Sequence, residues 1–178
     1  ADEIEDVIYA HGIEKIDEYL QIDRKGRKRG LKKDERVLIW KIKGELELVL
    51  TEKRVHTWGL IRLYALKQLD SNPSRWRFKG LFVDEAQDLT KVARLLALRL
   101  VEDQKHLVFA SDTAQSIYAV PPSWKQTSPA FKFHGRAAIN LKNTYRSTKQ
   151  IFEAIKMLRA DPGDEDDIST EAMPVFTG

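Results

Sequence analysis

The stretch from Leu81 to Leu89 places three acidic side chains at the end of a short apolar run. Asp84 and Glu85 follow the apolar residues directly, and Asp88 comes shortly after them. Carboxylate oxygens are the ligands that Mg²⁺ prefers, and a second acid beside a metal-binding one can orient or deprotonate a water. The pattern therefore suits a hydrolytic magnesium site. A strand that ends in a solvated turn, with Asp88 capping the next helix, fits the same residues.

The elements around these acids alternate between strand and helix. Apolar periodicity predicts the following elements in chain order: strand Leu81–Val83, helix Leu89–Val101, strand His106–Ala110, strand Ala137–Leu141 and helix Ser147–Leu158. Such alternation predicts an α/β fold with a parallel sheet, which binds ligands at the carboxyl ends of its strands. The acidic tail from Asp161 is predicted to be loop or disordered.

The first part of the chain, residues 1–75, is predicted to be all helical. Two short helices, Glu3–Ala10 and Ile13–Leu20, are separated by Gly12 as a stop signal. A long helix begins near Asp34, with an apolar face of Ile39, Ile42, Leu46, Val49 and Leu50. A further helix spans Thr57–Leu69, with Trp58, Ile61, Ala65 and Leu69 near one face.

A strongly basic loop lies between Arg24 and Lys33. Its side chains Arg27, Lys28 and Arg29 are candidates for DNA phosphate contacts, each of which adds salt-sensitive affinity. A solvated linker is the alternative interpretation, because runs of charge are common on protein surfaces.

The bulk composition is that of a soluble globular protein, with 42% hydrophobic and 32% charged residues among 178. We find no apolar run near the ~18 residues of a membrane helix and no signal-peptide pattern. The absence of cysteine fits a reducing compartment, and we expect a cytoplasmic location. The net charge of +3 is too small to argue for nucleic acid by itself.

Three polar stretches each follow a predicted strand: Asp84–Asp88, Ser111–Tyr118 and Asn143–Ser147. Because successive strand ends lie on the same edge of a parallel sheet, we expect the stretches to converge on one ligand. Carboxylates, an amide, an arginine and a tyrosine ring together suit a nucleoside triphosphate with Mg²⁺.

In this order the three stretches resemble motifs of the UvrD/Rep/PcrA-type superfamily 1 of ATP-dependent DNA helicases. Asp84–Asp88 resembles that family's Walker B motif DE-x-QD, Ser111–Tyr118 its motif GD-x-x-QSIY, and Leu141–Thr148 its motif L-x-x-NYRST. The resemblance implies a partial RecA-like P-loop NTPase sheet. Residues 76–136 would be the later part of the first RecA-like domain, and residues 137–178 the start of the second. The helical segment 1–75 would correspond to an insertion that touches duplex DNA.

The resemblance also implies roles for the residues that match the motifs. Asp84 would hold Mg²⁺ through its water shell, Gln87 would link its motif to the neighbouring ones, and Tyr145 would stack on the adenine of ATP. Asp88 and Asp112 would belong to the same nucleotide site. Three residues would be catalytic: Glu85, which polarises the attacking water, Gln115, which contacts the γ-phosphate, and Arg146, which neutralises charge there.

The sequence also departs from the family pattern. Ser111 and Thr144 stand where Gly and Asn are usual, and Ala119–Trp124 replaces a Trp-Arg-Gly segment. Trp124 remains a candidate for stacking on single-stranded bases.

The chain contains no G-x-x-x-x-G-K followed by Ser or Thr, the loop that cradles phosphates. Together with the missing initiator Met, this predicts an internal helicase fragment that is inactive alone. One alternative is a degenerate DNA-binding or regulatory module of the same fold. A weaker one is a stand-alone Mg²⁺-dependent hydrolase built on Asp84, Glu85 and Asp88.

Overall fold

The computed structural model describes residues 2–24, 29–73 and 76–112, together with residues 127, 139, 141, 143–144, 150–151 and 173–174. A π-helix, Ile4–Tyr9, comes first, and three α-helices follow it. The fourth α-helix lies later in the chain, between the first two strands. The α-helices are α1 (Ile16–Gln21), α2 (Lys33–Glu52), α3 (Trp58–Ser71) and α4 (Lys91–Leu100). The strands are β1 (Leu81–Val83), β2 (Leu107–Phe109), β3 (Asn143–Thr144) and β4 (Met173–Pro174).

Strands β1 and β2 form a parallel pair, with Leu81 opposite Leu107 and Val83 opposite Phe109. Helix α4 connects them and packs on one face of the pair, where Ala97, Leu98 and Leu107 are buried. The predicted parallel pairing of these two strands is therefore confirmed. The element order, helices first and a parallel sheet later, is compatible with the predicted α/β class.

The opposite face of the β1–β2 pair is uncovered in the described part of the chain. Phe82 and Val108 are register partners on that face, and they are 80% and 47% exposed. Parallel sheets in α/β proteins ordinarily bury both faces. The described residues thus cover only one side of this sheet.

The helical segment has its own core, in which the π-helix is central. Ile4, Val7, Ile8 and Tyr9 from the π-helix are buried with Ile13, Tyr19 and Leu60. The hydroxyl of Tyr9 donates to Glu47 Oε1 at 3.0 Å, and that of Tyr19 donates to Glu3 Oε1 at 3.0 Å. Burial raises the pKa of both phenols well above the ordinary value, and the adjacent carboxylates raise it further.

Helix α2 begins at a capping contact in which the backbone amide of Lys32 donates to Glu35 Oε2 at 2.8 Å. Ile39, Leu46 and Leu50 pack against the helical core, as the periodicity predicts. Ile42 and Val49, which share this spacing, are 49% and 45% exposed. A 20-residue helix that packs on one side only buries a narrow stripe, and these two side chains lie beside it.

Helix α3 begins at Thr57, whose hydroxyl oxygen accepts from the amide of Leu60 at 3.3 Å. Its buried residues are Gly59, Leu60 and Leu69. Trp58, Ile61 and Ala65, which the spacing puts near one face with Leu69, are all exposed. Gly59 instead lies closely against Tyr9.

Helix α3 also packs along α4, so α4 lies between the sheet and the helical segment. Arg99 of α4 donates from Nε to Asp70 Oδ1 of α3 at 2.7 Å. The stop at Gly12 is confirmed, with a φ of +70° that favours glycine. A Cβ at Gly12 would lie 3.1 Å from Val92 Cγ2, so this turn meets α4 directly.

Two predictions about the later part of the chain need revision. The predicted strand Ala137–Leu141 is described only at Ile139 and Leu141, and neither is in a strand. Instead β3 pairs in parallel with β4, which lies in the tail predicted to be loop. Gln150 and Ile151 are helical, as predicted, and the rest of Ser147–Leu158 lies outside the described residues. Within the part of the chain described, no helix is long and apolar enough to cross a membrane.

Candidate nucleotide site

The candidate site forms where β1 ends. The amide of Ala110 donates to the carbonyl of Val83 at 2.8 Å, and the amide of Ala86 donates to the carbonyl of Ala110 at 2.9 Å. These two bonds extend the contact between the strand ends beyond the last paired residues. A short 3₁₀ turn, Ala86–Asp88, then leads to α4, whose first turn is capped by the hydroxyl of Thr90.

Glu85 has a left-handed backbone, with φ 51° and ψ 41°. This conformation costs a residue with a Cβ roughly 1–2 kcal/mol. Surrounding contacts hold it: the Glu85 amide donates to Asp84 Oδ1 at 2.9 Å, and Ala86 is completely buried. The chain therefore reverses sharply at Glu85, and the side chains of Asp84 and Glu85 remain exposed at the end of the sheet. Strain of this kind is concentrated at functional sites.

Gln87 lies beneath these acids and is only 2% exposed. Its Nε2 donates to Glu85 Oε2 at 2.5 Å, and its Oε1 accepts from the amide of Asp112 at 3.0 Å. One buried amide side chain thus connects the first polar stretch to the second. The polar ends of β1 and β2 therefore meet at Gln87 and Asp112, and their convergence on one ligand stays a prediction. Gln115, Trp124, Tyr145 and Arg146 lie outside the described residues.

The acids suit one hydrated cation better than a cage of protein ligands. Among the residues described, no three His, Asp or Glu side chains gather in a way that would hold a metal ion. The stand-alone hydrolase built on Asp84, Glu85 and Asp88 stays an untested alternative. Asp84 uses Oδ1 to accept the Glu85 amide, which leaves Oδ2 for the water shell of a cation. Mg²⁺ keeps several waters and needs only one or two carboxylates, and Asp84 fits that requirement.

Two arginines of the basic loop form ion pairs with glutamates of the helical segment. Arg24 forms a two-point ion pair with Glu3, with Nε–Oε1 at 2.8 Å and Nη2–Oε2 at 2.7 Å, and its side chain is 10% exposed. Arg29 pairs with Glu35 at 2.5 Å but keeps its side chain 78% exposed. Arg27 and Lys28 lie outside the described residues. Arg29 is thus the described candidate that remains accessible to DNA.

Two features of this region were not predicted from the sequence. The first is the contact between Ala86 and Ala110, because backbone groups leave no signal in residue types. The second is Arg94, a charged residue that is only 1% exposed on α4. Arg94 lies between Val92 and Leu98 on an otherwise apolar face of α4, and this position could have predicted its burial.

Comparison with known families places these features in context. The model of the UvrD/REP helicase N-terminal domain matches residues 14–129. The match includes the turn at Asp84–Asp88 and Asp112, and it also includes α2 and α3 of the helical segment. A search of curated proteins finds no match. Because the match spans most of the chain, this protein belongs to the UvrD/REP helicase N-terminal domain family.

Proposed function

We propose that this chain is part of an ATP-dependent DNA helicase, in which it supplies the magnesium and water-activating half of the ATPase site. The observation that supports this most directly is the convergence of Asp84, Glu85 and Asp112 at one edge of the β1–β2 pair, joined through Gln87. The carboxyl edge of a parallel sheet is where nucleotides bind in α/β proteins. The family gives the same assignment at a coarser level.

In this proposal Asp84 would hold Mg²⁺ through water, and the ion would neutralise charge on the triphosphate. Glu85 accepts a proton from a water as the water oxygen bonds to the γ-phosphorus. The bond from that phosphorus to the β–γ bridging oxygen breaks, and ADP and phosphate leave. Asp88 and Asp112 line the same site. Gln115 and Arg146 contact the γ-phosphate, and Tyr145 stacks on the adenine.

The ATPase would drive movement along single-stranded DNA and unwinding of duplex. Basic residues of the loop, Arg27, Lys28 and Arg29, would contact DNA phosphates, and Trp124 would stack on bases. Because the 178 residues contain no phosphate-cradling Gly-Lys loop, the chain alone is expected to be inactive. Activity requires a protein that joins this chain to such a loop.

Glu85→Gln tests the proposal in a protein that joins the chain to a phosphate loop. Hydrolysis is expected to stop while Mg²⁺-ATP binding stays within about threefold, because the amide cannot accept the proton but Asp84 is intact. Asp84→Ala, the matched variant, is expected to weaken Mg²⁺-dependent binding.

Two results would contradict the assignment. Equal loss of binding in Glu85→Gln and Asp84→Ala would show that the two roles are misplaced. DNA binding without any ATP turnover in the wild-type protein would favour the non-catalytic module.

A further inference from the structure

We infer that Gln87 is a positioning residue that aims the Glu85 carboxylate and ties its aim to the backbone after β2. This inference rests on the proposed function, in which Glu85 activates water. It goes beyond the linking role that the family resemblance suggests, because it assigns a separate task to each end of one side chain. The amide nitrogen donates to the Glu85 carboxylate, and the amide oxygen accepts from the backbone amide of Asp112.

The first step is the exposure of the groups involved. Glu85 is exposed and sits on a strained, left-handed backbone, so its carboxylate needs a fixed partner to hold one direction. Gln87 supplies that partner from a buried position, with its own rotation limited by packing. The 2.5 Å contact leaves Oε1 of Glu85 as the oxygen that remains available to a water.

The second step is the orientation of the amide. A glutamine side chain can be turned over without changing its shape, but here only one orientation satisfies both partners. Glu85 can only accept, and the Asp112 amide can only donate. The two contacts therefore select the same orientation of the Gln87 amide.

Amide hydrogen exchange on the 178-residue chain tests the contact between Gln87 and the Asp112 amide, and it requires no ATPase activity. In Gln87→Ala the Asp112 amide should exchange about tenfold faster than in wild type, because its acceptor is gone. The amides of Ala86 and Ala110, which donate to backbone carbonyls, should keep their rates. Gln68→Ala, on the exposed side of α3, is the control and should change none of the three.

Gln87→Glu distinguishes the contact with Glu85 from the contact with Asp112. Its carboxylate can still accept from Asp112, so the exchange rate there should stay close to wild type. In its ionised form it cannot donate to Glu85, so in a protein that hydrolyses ATP it should lower kcat about tenfold or more while leaving KM for ATP within about twofold.

Three outcomes would overturn the inference. The first is an unchanged Asp112 rate in Gln87→Ala. The second is equal acceleration at Ala86, Ala110 and Asp112, which would mean that Gln87 only fills space. The third is wild-type kcat in Gln87→Glu. If the wild-type protein hydrolyses no ATP, the proposed function fails, whereas the exchange result still decides the Asp112 contact.

Discussion

Gly59 and Tyr9 approach so closely that a Cβ at Gly59 would lie 2.7 Å from the Cβ of Tyr9 and 2.7 Å from Oε2 of Glu5. The Gly59 amide also donates to that Glu5 oxygen at 3.2 Å. We therefore expect Gly59→Ala to lower the free energy of unfolding by about 1–3 kcal/mol, the cost of overpacking. Urea denaturation followed by circular dichroism measures the change.

Gly44 provides the matched control, because it also lies inside a helix but has nothing within 4 Å of its added Cβ. Gly44→Ala should raise the free energy of unfolding by about 0.5–1 kcal/mol, the helix-propensity gain alone. Equal effects of the two substitutions would contradict the close approach between α3 and the π-helix.

Alkaline pH should unfold the helical segment through its two buried tyrosines. The pKa values of Tyr9 and Tyr19 are raised in the folded protein, so above the ordinary phenol pKa the unfolded chain releases protons that the folded chain retains. Stability is therefore complete below about pH 10 and falls as the pH rises beyond it, by at most about 1.4 kcal/mol per pH unit for each tyrosine. Urea titrations between pH 8 and 11 measure the slope.

The variants Tyr9→Phe and Tyr19→Phe should each make that slope shallower. A slope that is the same in the wild type and in both variants would assign the alkaline unfolding to other groups.

Glycine at the left-handed positions should stabilise the chain. Glu85 and Arg54 are the non-glycine residues with positive φ in the described part, at 51° and 54°. Glu85→Gly and Arg54→Gly should each raise the free energy of unfolding by about 1 kcal/mol, because glycine adopts this backbone without strain. Thermal and urea unfolding measure both.

The two sites should then differ in function. Glu85→Gly should abolish hydrolysis in an active helicase, whereas Arg54→Gly should not affect it. A lower free energy of unfolding in Glu85→Gly would contradict the backbone strain assigned to Glu85.

The basic residues of the loop should differ in their contribution to the stability of the protein. Arg24→Ala should lower the free energy of unfolding by about 3 kcal/mol, because it leaves Glu3 without its ion pair in a site where both side chains are mostly buried. Replacing Arg27, Lys28 and Arg29 with Ala should instead leave stability within about 0.5 kcal/mol.

The same triple variant should reduce the salt dependence of DNA binding, with log K against log salt losing about one unit of slope for each phosphate contact removed. Fluorescence anisotropy at several salt concentrations measures this. An unchanged slope would return the loop to the solvated-linker interpretation.

The parallel β1–α4–β2 unit could be predicted because its signals are local: short apolar runs, an amphipathic helix and polar residues after each strand. The buried faces of α2 and α3 could not be predicted in full. In α3, Gly59 lies closely against Tyr9, a contact between residues far apart in sequence. Apolar side chains such as Trp58 satisfy a helical period whether they face the core or solvent, so periodicity alone does not select the face.

The candidate site was predictable in composition but not in geometry. Asp84 and Glu85 are recognisable from their type and place after a strand. The left-handed turn at Glu85 is not, because glutamate rarely adopts it. The orientation of Gln87 depends on the Asp112 amide, and a backbone donor has no counterpart in the residue pattern.

The uncovered sheet face, with Phe82 beside Val108, has a practical consequence for the chain in solution. In the described residues β1 and β2 pair only with each other, so their outer edges keep unpaired backbone groups next to exposed apolar side chains. Such an edge is a template onto which another extended strand adds. A charged residue at Phe82 should therefore disfavour the addition of a strand beside this pair without touching the acids at the end of the sheet.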